Sequence, residues 1–336
     1  MTLETLWALV LVWLVAGYLV LDGYDYGIGM LLPALGRDDR RRRLMLNATG
    51  PFLLGNEVWL VAVAGVMIAA FPGLEGALFT AYYPLIAALL AGLMLRGTGI
   101  QLRRFGRGPG WRTAMDAATV TGSLVPAAAL GMLVGGMLRG APQGLSAGAA
   151  AADLLHPFTL LCGLAGVLLF SLHGAVYLAL RLGGPAGDQA RAAVGRLAPA
   201  ALAVVVAAAA AGALSGDVRA VLTAPVSAAV GAAIAVGACA AAWALARSGA
   251  AAAAFACTSV AVLAPFAAVL AGARPHVFTG RAGEGALTLS DVLADEATLA
   301  LLAWFIVPLA VVGLAAQAWN WWSFRERLDE RSPLYF

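Results

Sequence analysis

The chain alternates long apolar runs with short polar breaks, and nine of the runs approach the length of about 20 residues that a bilayer demands of a helix. They predict helices over residues 5–30, 51–71, 77–101, 115–138, 157–180, 197–214, 224–246, 250–271 and 297–322. Pro51, Pro157 and Pro225 are expected in first turns, where a missing N–H costs nothing. The fold class is therefore an all-α membrane protein of about nine transmembrane helices, with residues 1–336 forming a single integral membrane domain. The polar stretch from about Gly272 to Thr298 is expected to be a surface loop with room for a short amphipathic piece.

Composition agrees with this pattern. The chain is 62% hydrophobic and 12% charged, against roughly 25% charged residues in soluble domains. Residues 198–273 are dominated by alanine, glycine and valine, which lets helix backbones approach closely in lipid. The first apolar run lacks a basic leader and a cleavage site and reads as a retained span. Cys162, Cys239 and Cys257 all lie inside apolar runs, form no close-spaced ligand motif and read as small packing residues.

Charge fixes an expected orientation. All 21 basic residues are arginine. Sixteen fall in loops one, three, five and seven and the C-terminal tail, including Arg37, Arg40–Arg43, Arg103, Arg104, Arg107 and Arg112. Only Arg139, Arg219, Arg274 and Arg281 lie in the alternate loops, and Arg96 lies within the third span. This asymmetry places the N-terminus outside and the C-terminus in the cytoplasm. Trp319, Trp321 and Trp322 close the last helix as an interfacial anchor. Arginines confined to short loops give no nucleic-acid footprint.

Ionisable residues inside spans are costly and mark candidate sites. The first helix carries Asp22 and Asp25, three apart on one face, with Gly23, Gly27 and Gly29 admitting a neighbour. The second contributes Glu57, the third Arg96 and the fifth His173. With alternating helix directions, all five fall toward the cytoplasmic half at similar depth. Two readings stand: a buried ion-pair network that fixes helix packing, or a proton-conducting cluster open to the cytoplasm. Asp116 reads as a dipole-favoured cap at a helix start, His156 as interfacial and His276 as a loop residue. Only His173 sits at membrane depth, so no haem and no metal is assigned to this chain.

The stretch Asp22-Gly23-Tyr24-Asp25-Tyr26-Gly27-Ile28-Gly29-Met30-Leu31, then Arg43-Leu44-Met45-Leu46-Asn47, Gly50-Pro51 and Gly55-Asn56-Glu57-Val58-Trp59-Leu60, resembles subunit II of the cytochrome bd-type quinol oxidases. Weaker echoes are Phe71-Pro72, Arg96-Gly97 with Arg103, Pro157-Phe158, His173-Gly174-Ala175, Leu287-Thr288 and the aromatic C-terminal end. The resemblance implies two four-helix bundles plus one additional helix in a bacterial cell membrane. It implies a partner, subunit I, which carries two haems b and haem d, oxidises quinol and reduces dioxygen to water. Subunit II would ligate no haem, stabilise its partner and contribute a cytoplasmic proton path. A small single-span third subunit, and a membrane lipid or quinone, are left open as further partners. Two positions depart from the family pattern: Leu54 stands where an acid is usual, and Gln101 where a carboxylate is frequent. The alternatives are a proton-coupled secondary transporter, disfavoured by the lack of a detectable repeat, and a scaffold subunit without a working proton path.

Overall fold

A computed structural model describes residues 2–106, 108–142 and 152–334; Arg107 lies outside them. Among the described residues, nine helices are long and apolar enough to span a membrane, and the chain is a multi-pass membrane protein. They are α1 (Leu3–Leu35), α3 (Leu53–Ala70), α4 (Pro72–Leu102), α5 (Pro109–Arg139), α6 (Pro157–Arg181), α7 (Gly184–Leu214), α9 (Pro225–Arg247), α10 (Ala251–Gly272) and α12 (Glu296–Ser323). Between them lie the short helices α2 (Asp39–Thr49), α8 (Gly216–Val221) and α11 (Leu289–Val292), and a two-stranded antiparallel ribbon of β1 (His276–Phe278) and β2 (Leu287–Thr288).

Pro157 and Pro225 occupy first turns, but Pro51 stands in the turn ahead of α3. Hydropathy missed α2 because it is short and arginine-rich; the Asp38 side chain caps it by accepting from Arg41 N at 2.9 Å. It also began the sixth span thirteen residues late. The stretch 184–196 carries Asp188, Arg191 and Arg196, yet it is helical and buries Ala186, Ala190, Ala193 and Val194 along one face. Phe71 alone separates α3 from α4, because Pro72 starts the next helix immediately.

Helices α1, α3, α4 and α5 pack in one ring and α6, α7, α9 and α10 in a second, joined where α1 and α5 meet α6. Helix α12 lies mainly against the first group, along α3 and α1, and its Trp321 also reaches Tyr177 of α6 and Phe255 of α10. Polar contacts gather the connections at opposite ends. Asp39 meets Arg103, and Arg41 meets Gln189, at one end; Arg139, Asp153, Asp217 and Arg281 meet at the other.

The alanine-rich helices pack closely only in part. A Cβ on Gly231 would lie 2.6 Å from the Ala268 Cβ, so α9 and α10 are in backbone contact. Between α5, α6, α7, α9 and α10 an apolar cavity of about 400 Å³ remains, lined by Val134, Phe158, Cys162, Val205, Ala232 and Phe266 among others. Small side chains permit close approach but do not enforce it where α5 and α6 hold the walls apart.

Candidate functional site

Backbone contact between helices aims the polar residues inward. A Cβ on Gly27 would meet Phe170 O and lie 2.7 Å from Gly174 N, so α1 and α6 touch main chain to main chain. Gly29 faces Ser123 of α5, and Gly122 of α5 faces the backbone of Arg96. With α1 pinned on these sides, Tyr18, Asp22 and Tyr26, spaced by four, point together into the first ring.

There Arg96 Nη2 binds Asp22 Oδ1 at 2.6 Å and Glu57 Oε1 at 2.9 Å. Arg96 and Asp22 are fully buried, whereas the Glu57 side chain is 27% exposed. The Arg96 guanidinium lies 4.5 Å above the Tyr26 ring, and the Tyr26 and Tyr18 hydroxyls hydrogen-bond each other. Asp22 Oδ2, Arg96 Nε and Arg96 Nη1 are buried without a hydrogen-bond partner among the described residues. Two carboxylates share one guanidinium here, so the group holds one negative charge in excess when both are ionised and has orphaned polar atoms to receive a proton carrier.

Asp25 lies beside this triad, within electrostatic reach of Asp22, Arg96 and Glu57. It accepts from Thr49 Oγ1 and from Asn56 Nδ2, the latter at 2.9 Å. The same amide nitrogen is 2.8 Å from Tyr24 OH and 3.0 Å from Leu21 O. Three acceptors compete for two protons, which makes Asn56 a switchable donor. Its Oδ1 accepts from Gln317 Nε2 at 3.2 Å, tying α12 to the cluster.

The structure thus brings Asp22, Asp25, Glu57 and Arg96 together and sets His173 apart. His173 Nε2 faces Val20 O at 3.0 Å, Nδ1 faces Thr258 Oγ1 at 2.8 Å, and the ring stacks on Phe255. A carbonyl only accepts, so Nε2 donates, and the imidazole pins α6 to α1 and α10. Sequence reasoning did not single out Thr49, Tyr18, Tyr26 and Gln317, which are neutral and emerge only from helix register. Leu54 is 65% exposed and Gln101 also faces outward. The acids absent from these two positions therefore leave the buried cluster itself intact.

Asp116 is not the helix-start cap that its position suggested. It lies about two turns inside α5, buried, with Arg42 Nη1 at 2.7 Å and Arg103 Nε at 2.6 Å. Arg103 also reaches Asp39 at 2.8 Å. Partial burial opposes ionisation of Asp39, yet the Arg103 hydrogen bond and neighbouring arginine charges hold its carboxyl below the usual range.

At the other end Asp153 receives Arg281 at 2.7 Å and Arg139 at 3.4 Å. Burial again opposes ionisation, but the Arg281 hydrogen bond and the two arginine charges prevail and lower its pKa. A lowered folded pKa contributes stability above the unfolded value, lost as pH falls through the folded one. The melting-temperature gap between the protein and Asp153→Asn is expected to hold from pH 7 to about 5 and to close below about pH 4. A gap that persisted unchanged at pH 3 would remove this pair from the stability of that end.

Among the described residues no three His, Cys, Asp or Glu side chains are grouped so as to hold a metal ion. His156 caps α6, its Nδ1 accepting from Phe158 N at 3.2 Å.

Residues 3–324 match the sequence model of the family described as cytochrome bd terminal oxidase subunit II. The chain is 27% identical to the cytochrome bd ubiquinol oxidase subunit 2 of Bacillus subtilis over 340 residues, covering 100% of this chain and 99% of that protein. It is 35% identical over 196 residues to the cytochrome bd-I ubiquinol oxidase subunit 2 of Escherichia coli, 56% of this chain and 52% of the relative. It is also 35% identical over 191 residues to a probable cytochrome oxidase subunit 2 of Haemophilus influenzae, 55% of this chain and 50% of the relative. The matches to these last two thus span about half their length. The fold matches a chain in the structure of bd oxidase from Geobacillus thermodenitrificans with a TM-score of 0.67, over 97% of this chain and 98% of that one, at 18% identity.

Proposed function

Because this chain belongs to the cytochrome bd terminal oxidase subunit II family, we propose that it is the non-haem-ligating subunit of a quinol-oxidising, dioxygen-reducing membrane complex. Its partner, subunit I, carries the two haems b and haem d and performs the redox chemistry. This chain stabilises that partner and supplies protons from the cytoplasm. The N-terminus lies outside and the arginine-rich end of the bundle faces the cytoplasm, as the distribution of positive charge favours.

The supporting observation is the Asp22–Arg96–Glu57 group, with Asp25 beside it. Dioxygen reduction consumes four protons, and drawing them from the inner side adds to the membrane potential. A carboxylate sharing a buried guanidinium with a second carboxylate can accept a proton without leaving the cation unpaired. Glu57 is the partly exposed member of the group and so the position where protons enter or leave it. It lies one helical turn from Leu54, on a face of α3 that also exposes Val58 and Val61. Leucine cannot carry a proton, so Glu57 takes the role at this surface.

The test uses the co-purified complex. Glu57→Gln and Asp25→Asn should each retain the haem absorption spectrum while dioxygen consumption falls at least about tenfold, as expected for losing a proton-transfer group. Full turnover in both variants would leave the cluster a packing device and the chain a scaffold. A purified chain lacking haem and any partner would favour the transporter reading.

A further inference from the structure

Helix α2 does not span. It lies across the end of the bundle, and its two sides do different work. Toward the interior, Leu44, Met45 and Ala48 are buried and the Thr49 hydroxyl donates to Asp25. Toward the C-terminal segment, Arg40, Arg43 and Asn47 form a helical stripe, with Asn47 buried beneath that segment, and each donates to one of its main-chain carbonyls. Arg40 reaches Glu330 O, Arg43 reaches Leu334 O at 3.3 Å, and Asn47 Nδ2 reaches Pro333 O at 2.7 Å.

The same segment is anchored on the far side. Leu328 N donates to Arg181 O at 2.9 Å, and Leu328 O accepts from Gly183 N at 2.8 Å. Arg327 Nε donates to Leu180 O at 3.0 Å, and Arg181 to Phe324 O. Leu328 and Leu334 pack on the apolar cluster that contains Leu44, Leu46, Leu178 and Leu182. Residues 325–334 therefore run from the end of α6 to α2, fixed at both ends by hydrogen bonds and along their length by apolar contact.

We propose that residues 325–334 are a strap that holds α2 closed over Asp25 and thereby controls the access of water and protons to that carboxylate. The control of access rests on reading the acidic cluster as a proton path; the latching of α2 does not. Lifting the strap breaks its bonds to α2 and to the last carbonyls of α6, and none of the hydrogen bonds within a spanning helix. When it lifts, Thr49 and the last turn of α2 lose their outer support while α6 and α12 keep their own hydrogen bonding.

The experiment is hydrogen–deuterium exchange with mass spectrometry on the intact complex, comparing the full chain with one ended after Phe324. Amides of residues 39–49 should exchange at least ten times faster in the shortened chain, with residues 157–181 unchanged. Reaction of Asp25 with an apolar carbodiimide should rise in parallel. Asn47→Ala, which removes the bond to Pro333 O, should give a smaller acceleration confined to the same residues, and it serves alone if the shortened chain fails to assemble. Unchanged exchange over 39–49, or an equal acceleration throughout α6, would overturn the strap. Faster exchange without greater carbodiimide labelling would overturn its control of access. Neither readout depends on turnover, so a failed proton-path test at Glu57 is distinguishable from a failure here.

Discussion

Arg96→Met is expected to cut the folded protein recovered from membranes to below about a tenth of the wild-type amount, the result of stranding two carboxylates that share its guanidinium. Asp22 is fully buried, with one oxygen on Arg96 and the other without a partner. Removing one member of a buried ion pair costs about 3–5 kcal/mol, because the remaining charge keeps its desolvation penalty and loses its compensation. A domain with about 5–15 kcal/mol of stability cannot lose that much without a visible fall in yield. The Tyr26 ring would also lose the cation above it. Asp22→Asn should be milder, because Arg96 keeps Glu57 and the amide oxygen still accepts. The combined Asp22→Asn, Glu57→Gln, Arg96→Met variant should recover most of the yield, since neither carboxylate that shared the guanidinium keeps its charge and Asp25 retains its bonds from Thr49 and Asn56, while remaining inactive in the assembled complex. Size-exclusion chromatography of the detergent-solubilised protein reads all three. If the triple variant were as poorly recovered as Arg96→Met alone, the shape of Arg96 and not its charge would be what the fold needs.

The elements that make this cluster were unequally legible in the sequence. Asp22, Asp25, Glu57 and Arg96 stand out because a charge in an apolar run is conspicuous whatever the helix register. The number of spans was legible for the same reason. Depth along a helix, however, does not say which way a side chain points. His173 shares the depth expected of the acids, but its position on α6 turns it toward Val20 O and Thr258. Thr49, Asn56 and Gln317 complete the Asp25 site through neutral hydrogen bonds whose existence depends on three separate helices arriving in register. Asp116 looked like a cap because hydropathy started its helix too late; Pro109 starts it earlier and leaves Asp116 facing Arg42 and Arg103. The alanine-rich half was the least legible. Small residues allow either contact or a gap, and both occur, at Gly231 against Ala268 and in the cavity beside Cys162.

Gly27→Val is expected to be the second severe lesion, because it forces apart the two helices that join the rings. The first carbon of any side chain at Gly27 would overlap Phe170 O and lie 2.7 Å from Gly174 N and 2.8 Å from Gly174 Cα. These are backbone atoms within a helix, so no rotamer change can relieve the contact. Overpacking a well-filled interior costs about 1–3 kcal/mol, and the upper part of that range or more applies where backbone must move. Separating α1 from α6 would also pull the His173 ring off Val20 O and shift Asp22 relative to Arg96. A melting temperature at least several degrees lower, with loss of the assembled complex, is therefore expected. Gly97→Ala is the control: it lies inside α4, a Cβ there meets nothing within 4 Å, and helix propensity favours alanine by about 1 kcal/mol. Its melting temperature should hold or rise. Equal melting of both variants would mean that α1 and α6 can separate at no cost, and the glycine spacing of α1 would then have no part in holding the acidic cluster in register.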